Sequence, residues 1–178
     1  RGPPTCSPPA GGLPPGDSGA APAAHVGRAV EEVVAVEAPL HLADLADRVV
    51  GRWGCDRVGP RMMQRVREVA EALAKHGRIG LRGDFVYAAG DGEVPVRSRA
   101  GTRIPAERIA PEEYRAAVLR VLRAGDGIDR KTLTGGVRRL FGFSRTGPTL
   151  DAAIGAAVEA LLAEEVLGEG STGIRLRV

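Results

Sequence analysis

Acid–base, nucleophilic and metal chemistry each need particular side chains brought close together, and this chain offers few of them. Its three histidines, His25, His41 and His76, are widely separated, and each reads as a surface or helix-end residue rather than a ligand. Cys6 and Cys55 have no metal-ligand spacing and make no disulfide framework. Asp44 and Asp47 share one helical stretch, but the repeat described below places no acidic pair at the matching positions, so they read as a solvated face. Walker-type phosphate loops, His-Glu metalloprotease spacing and paired Cys-His clusters are absent. The expectation is a non-catalytic chain with no cofactor, no metal and no small-molecule substrate. Its cysteine usage fits a reducing cytoplasm.

The chemistry on offer is instead the recognition of phosphates and base edges. Residues 57 to 82 hold seven basic side chains against two acids. Stepping by 100° per residue around a helix with Val66 at the centre of its buried face puts Arg61, Gln64, Glu68, Glu71 and Lys75 on the opposite face, with Arg65 at its flank. Arg57 precedes this helix, and Arg78 and Arg82 follow it. Arg and Gln on the N-terminal half of a helix can hydrogen-bond base edges, while arginines on either side meet phosphates. The plainer alternative is a solvated helix of mixed charge. Formal charge is only +3, so a local patch matters more than the total.

These residues sit in a frame that the sequence uses twice. Residues 26–90 fall on 114–178 at a constant offset of 88, without a gap. Gly54–Pro60 (GCDRVGP) meets Gly142–Pro148 (GFSRTGP), and Val30, Val33, Leu45, Val49, Leu73 and Gly80 meet Val118, Val121, Leu133, Val137, Leu161 and Gly168. One supersecondary unit has been used twice. A first helix is expected over about 26–36 (Val26, Val30, Val33, Val34 inward) and its copy over 111–124, with Pro111 at the first position and Gly125 ending it in the left-handed conformation. A second is expected over about 42–52, its copy over 130–140 with Asp129 as N-cap. A third runs over about 60–76, burying Met62, Val66, Val69 and Leu73; the copy buries Leu150, Ile154, Ala157 and Leu161. Extended segments close each unit: 78–82 with 85–87, and 166–167 with 174–178, where Ile174, Leu176 and Val178 alternate with Arg175 and Arg177.

Three helices followed by a hairpin is the order of a winged helix-turn-helix. The expected fold is therefore mainly α with short β-hairpins (α+β), two winged helix-turn-helix repeats in tandem. A pair of small helical-bundle repeats is the competing reading. The expected domains are a Pro/Gly-rich linker or tail over 1–25, a first module over 26–93, a basic connector over 94–110 and a second module over 111–178. The tail cannot bury enough apolar surface to offset its ordering entropy, and with Arg1 in place of Met it reads as the link to upstream domains. Trp53 and Phe141 coincide in the repeat and read as core.

The two copies differ in charge. From Pro148 to Glu165 there is no Lys or Arg, and the exposed face of the third helix carries Thr149, Asp151, Ala152, Gly155 and Glu159. Phosphate would be repelled there. Arg130, Lys131, Arg138, Arg139 and Arg145 are open to two readings, a grip on a phosphate backbone or a solvated face. In the connector, Arg97, Arg99, Arg103 and Arg108 stand against Glu107, with Val94, Val96, Ile104 and Ile109 able to tuck inward; those arginines extend the basic surface if they point outward. Arg57 and Arg145 serve either phosphate or the carbonyls ending the second helix. No apolar run approaches the ~20 residues that span a bilayer, and no membrane partner is expected.

The stretches VEAPLHLADLADRV, GCDRVGPRM, GDFVYAAG, VPVRSRAGTRIPAERIAPEEYRAAVLRVL and RRLFGFSRTGPTLDAAIGAAVEALL resemble the uncharacterised domain at the C-terminus of large bacterial superfamily-one helicase proteins. Many of those also carry a nuclease of the very-short-patch-repair type. The resemblance covers about residues 28–167 and brings no catalytic residue with it. It implies an accessory, DNA-binding domain of a DNA-processing protein in defence or repair, joined to upstream helicase or nuclease domains that would hold any ATPase or nuclease activity. A protein-interaction module docking onto those domains and a transcriptional regulator are the alternatives.

Overall fold

The computed structural model describes residues 23–90, 92–125, 127–145 and 147–177. Most of the expected tail, Cys6 and Val178 lie outside them, while Ala23 to His25 belong to the first helix. The chain divides between Gly92 and Glu93 into two units, so the connector expected over 94–110 is part of the second unit.

In the first unit, α1 (Ala23–Glu37), β1 (Leu40–His41), α2 (Leu42–Gly51), α3 (Pro60–Lys75), β2 (Ile79–Arg82) and β3 (Phe85–Ala88) follow in order. The helices form because apolar residues recur at helical spacing and are buried together: Val26, Val30, Val33 and Val34 of α1, Leu42, Leu45 and Val49 of α2, and Met62, Val66 and Val69 of α3 make one core. Each such side chain withdrawn from water stabilises by about 1.5–3 kcal/mol. His41 caps α2, its Nδ1 accepting from the Ala43 amide at 3.1 Å. Pro60 opens α3, where its missing N–H costs nothing. The sheet is antiparallel in the order β1-β3-β2, with Leu40 opposite Val86.

The second unit repeats this with α4 (Pro111–Arg123), α5 (Arg130–Leu140), α6 (Pro148–Ala163), β4 (Leu167–Gly170) and β5 (Gly173–Leu176). The offset of 88 holds in three dimensions. It carries α3, β2 and β3 onto α6, β4 and β5 end to end, and the Leu40–Val86 pair onto an isolated bridge, Ile128 to Ile174. The turn glycines Gly54 and Gly142 are both left-handed, with φ of 70° and 73°. Among the described residues the chain is α+β, with six α-helices and two small antiparallel sheets. No described helix is long and apolar enough to cross a membrane.

Several expectations are corrected. β1 was not anticipated, since two residues show no period. The second hairpin is 167–170 with 173–176, because main-chain pairing extends through polar Glu169 and Gly170 that no hydrophobic alternation marks. The glycine with positive φ after α4 is Gly127 at 66°, not Gly125. Cys55 is disulfide-bonded, where the sequence reading expected no disulfide framework.

Candidate nucleic-acid interface

On α3 the buried stripe Met62, Val66, Val69 and Ala70 turns the other side to solvent. Arg61, Gln64, Glu68, Glu71 and Lys75 are all exposed, and Arg65 is half-buried at the flank. The sequence-predicted face is therefore assembled as expected, with Arg57 exposed in the turn before it. Two of its members are tied to a third. Gln64 Nε2 donates to Glu68 Oε1 at 3.1 Å, and Arg65 Nη1 lies 3.7 Å from Glu68 Oε2.

The hairpin is fastened beside this helix. Arg67 Nη2 donates to Asp84 Oδ1 at 2.8 Å, and the Leu42 amide donates to the Asp84 carbonyl at 2.8 Å. The Arg67 guanidinium, through that hydrogen bond, holds the Asp84 carboxyl below the usual carboxylate range. Gly83, at φ 58°, shapes the two-residue turn. Arg82 lies over the Tyr87 ring at 4.8 Å to its centroid, an arrangement that keeps the guanidinium on the hairpin's surface. Arg78 pairs with Glu31 at 2.7 Å while its side chain stays 62% exposed. Arg67 was counted in the basic cluster but not among the contact residues. Its partner is 17 positions away, and no local pattern points to that distance.

The second unit treats its charges differently. Arg130, at the start of α5, donates to Glu169 in β4 at 3.0 Å and to Glu159 on the exposed side of α6. Hydrogen bonds with Glu169, then with Glu159, raise its pKa. Arg138 Nη1 donates to the carbonyls of Phe143 and Ser144, both at 2.8 Å. Arg138 thus binds carbonyls of the turn that follows α5. Lys131, Arg139 and Arg145 are exposed. Phe141 is fully buried and meets Tyr114 edge-on at 5.1 Å, and Trp53 packs against the first core.

Residues 57–82 belong to a stretch whose beginning has a known counterpart. Residues 19–64 match a family described as "Protein of unknown function (DUF3320)". In the described structure that match runs from α1 through β1 and α2 into the first turn of α3. It supports an uncharacterised domain family over that part of the chain. No curated protein and no solved structure matches.

The connector arginines divide. Arg103 is exposed. Arg99 faces inward, its side chain 9% exposed, and binds fully buried Glu113 through two hydrogen bonds, Nη2 to Oε2 at 2.8 Å and Nη1 to Oε1 at 3.1 Å. The Arg97 amide donates to Glu113 Oε1 at 2.8 Å, and the Arg97 side chain is half-buried. Arg99 therefore does not extend the outer basic surface; its charge is spent on a buried carboxylate. Glu113 lies in the first turn of α4, where the helix dipole favours a carboxylate. Its burial depends on a segment 14 to 16 positions upstream. Among the described residues no group of three or more His, Cys, Asp or Glu could hold a metal.

Proposed function

We propose that the first unit is a winged-helix DNA-binding module, α3 its recognition helix and the β2–β3 hairpin its wing, within a non-catalytic accessory domain. The observation that carries this reading is the exposed N-terminal half of α3, where Arg61, Gln64 and Arg65 follow Arg57 in the turn, beside a hairpin carrying Arg82. Duplex DNA supplies what such a face needs: base edges in a groove wide enough for a helix, and phosphates on both rims. The copy strengthens the contrast, because α6 contains no Lys or Arg on the same frame. The resemblance to the C-terminal domain of bacterial helicase proteins supports a place in a DNA-processing polypeptide of defence or repair.

Titration of a labelled duplex by anisotropy at increasing salt tests the reading. Binding should weaken steeply with salt, since each neutralised phosphate releases counterions. Arg61→Glu and Arg65→Glu should each weaken it about tenfold or more. No binding at low salt, or indifference to both changes, would abandon the idea.

A second reading concerns the second unit alone. Exposed Asp151 and Ala152 on α6, with Arg130 drawn to Glu159, favour docking onto a protein, either the upstream helicase domains or a separate partner. Pull-down of those domains should be lost on Asp151→Lys, and capture that survives removal of this helix's charge counts against it.

A further inference from the structure

Gln64, Arg65 and Glu68 form a connected group on the exposed side of α3 that folding does not require. At the offset of 88 their counterparts in α6 are Ala152, Ala153 and Ala156. Both helices span sixteen residues, each starting at its proline. Alanine is what such a helix carries where only the helix is needed, because it has the highest helix propensity and no polar group to satisfy. The amide, guanidinium and carboxylate of α3 therefore serve something other than the frame.

Chemistry fixes how the amide is turned. A carboxylate only accepts hydrogen bonds, so the Gln64 atom 3.1 Å from Glu68 Oε1 is the nitrogen, and the Oε1/Nε2 assignment of this side chain is settled by its partner. Arg65 pairs with the second carboxylate oxygen at 3.7 Å. One amide hydrogen is committed to Glu68. The second amide hydrogen and the carbonyl oxygen are left to meet a ligand on the exposed side of the helix. An adjacent donor and acceptor in a planar amide match adenine N7 and the N6 amino group in the major groove.

Resting on the DNA-binding reading above, we infer that Gln64 reads an adenine and that Glu68, backed by Arg65, is the positioning residue that orients its amide. Losing Glu68 frees the amide to rotate, and the same side chain can then offer its donor and acceptor in either order. Discrimination falls, while affinity for phosphate does not. Removing a negative charge from a DNA-facing helix leaves low-salt affinity equal or higher.

The test is selection of bound sequences from a pool of randomised duplexes, with the 178-residue chain and its variants. The chain itself should enrich adenine at one position by roughly tenfold, the discrimination a bidentate amide–adenine pair supplies. Gln64→Ala and Glu68→Ala should both flatten that position. Glu68→Gln, which keeps an acceptor for the amide, should restore it. Unchanged far-UV circular dichroism in all three variants separates loss of reading from loss of folding. Binding with no adenine-preferring position, or a preference that survives either alanine change, overturns the inference and leaves the DNA-binding reading standing. Failure of the unaltered chain to bind any duplex at low salt overturns both.

Discussion

Single residues show where the two copies bear different loads. After α3, Gly77 adopts φ 68°, and its counterpart after α6 is Glu165, held at φ 59°. Both ends carry the same closing bonds, Arg78 N to Leu73 O and Val166 N to Leu161 O, each 3.0 Å. The frame thus imposes a left-handed residue whether or not the sequence supplies glycine. A side chain there costs on the order of 1 kcal/mol, and the exposed contact of Glu165 with Arg177 at 3.3 Å offsets little of it. Glu165→Gly should therefore stabilise the chain by about 0.5–1 kcal/mol, read as a higher midpoint in urea with an unchanged slope. The opposite outcome is expected at Gly142, whose φ of 73° is left-handed and where an added Cβ would lie 2.6 Å from Ser98 Oγ and 2.8 Å from Ala100 Cβ. Gly142→Ala should destabilise by about 1–3 kcal/mol, and a neutral result would show that the 98–100 segment yields readily.

At the scale of elements, the sequence was most legible where periodicity and punctuation agree. The span of α3 and α6 follows from apolar residues at helical spacing behind a Gly-Pro pair, and both helices start at that proline. What could not be read is pairing that depends on closure of the fold. β1 exists because Leu40 meets Val86 across the sheet, and Glu113 is buried because residues 97–99 fold back over α4. The candidate interface residues divide in the same way: exposure of Arg61, Gln64 and Lys75 follows from the helical step alone. The inward turn of Arg99 needs a cavity that only the assembled unit provides. That ion pair yields a prediction of its own. Arg99→Ala strands a fully buried carboxylate and should cost about 3–5 kcal/mol, whereas replacing both partners, Arg99→Met with Glu113→Leu, should recover much of it. If the double variant were as unstable as the single, the pair would be worth more than its desolvation and the cycle would measure by how much.

Among the described residues each core is built from residues of its own unit, and the carboxylates that folding holds below their ordinary range are divided unequally between the two. Among the described residues, carboxylates held below their ordinary range are Asp129, Glu164 and Glu169 in the second unit and Asp84 in the first. The causes are hydrogen bonds from Thr132 to Asp129, from Arg115 to Glu164, from Arg130 to Glu169 and from Arg67 to Asp84. A carboxyl whose folded pKa is depressed binds its proton more readily in the unfolded chain. Its contribution is complete above the unfolded value, about 4, and is lost as pH falls through the folded one. The second unit should therefore weaken first as pH drops from about 5 towards 3. Trp53 is the chain's one tryptophan and packs against the first core, so its fluorescence reports the first unit, while far-UV circular dichroism reports the helices of both. The dichroism should begin to fall at a higher pH than the Trp53 signal changes, and added salt should narrow the gap by screening these exposed pairs. Coincident transitions at low and high salt would mean that the acid sensitivity lies elsewhere than in Asp129, Glu164 and Glu169.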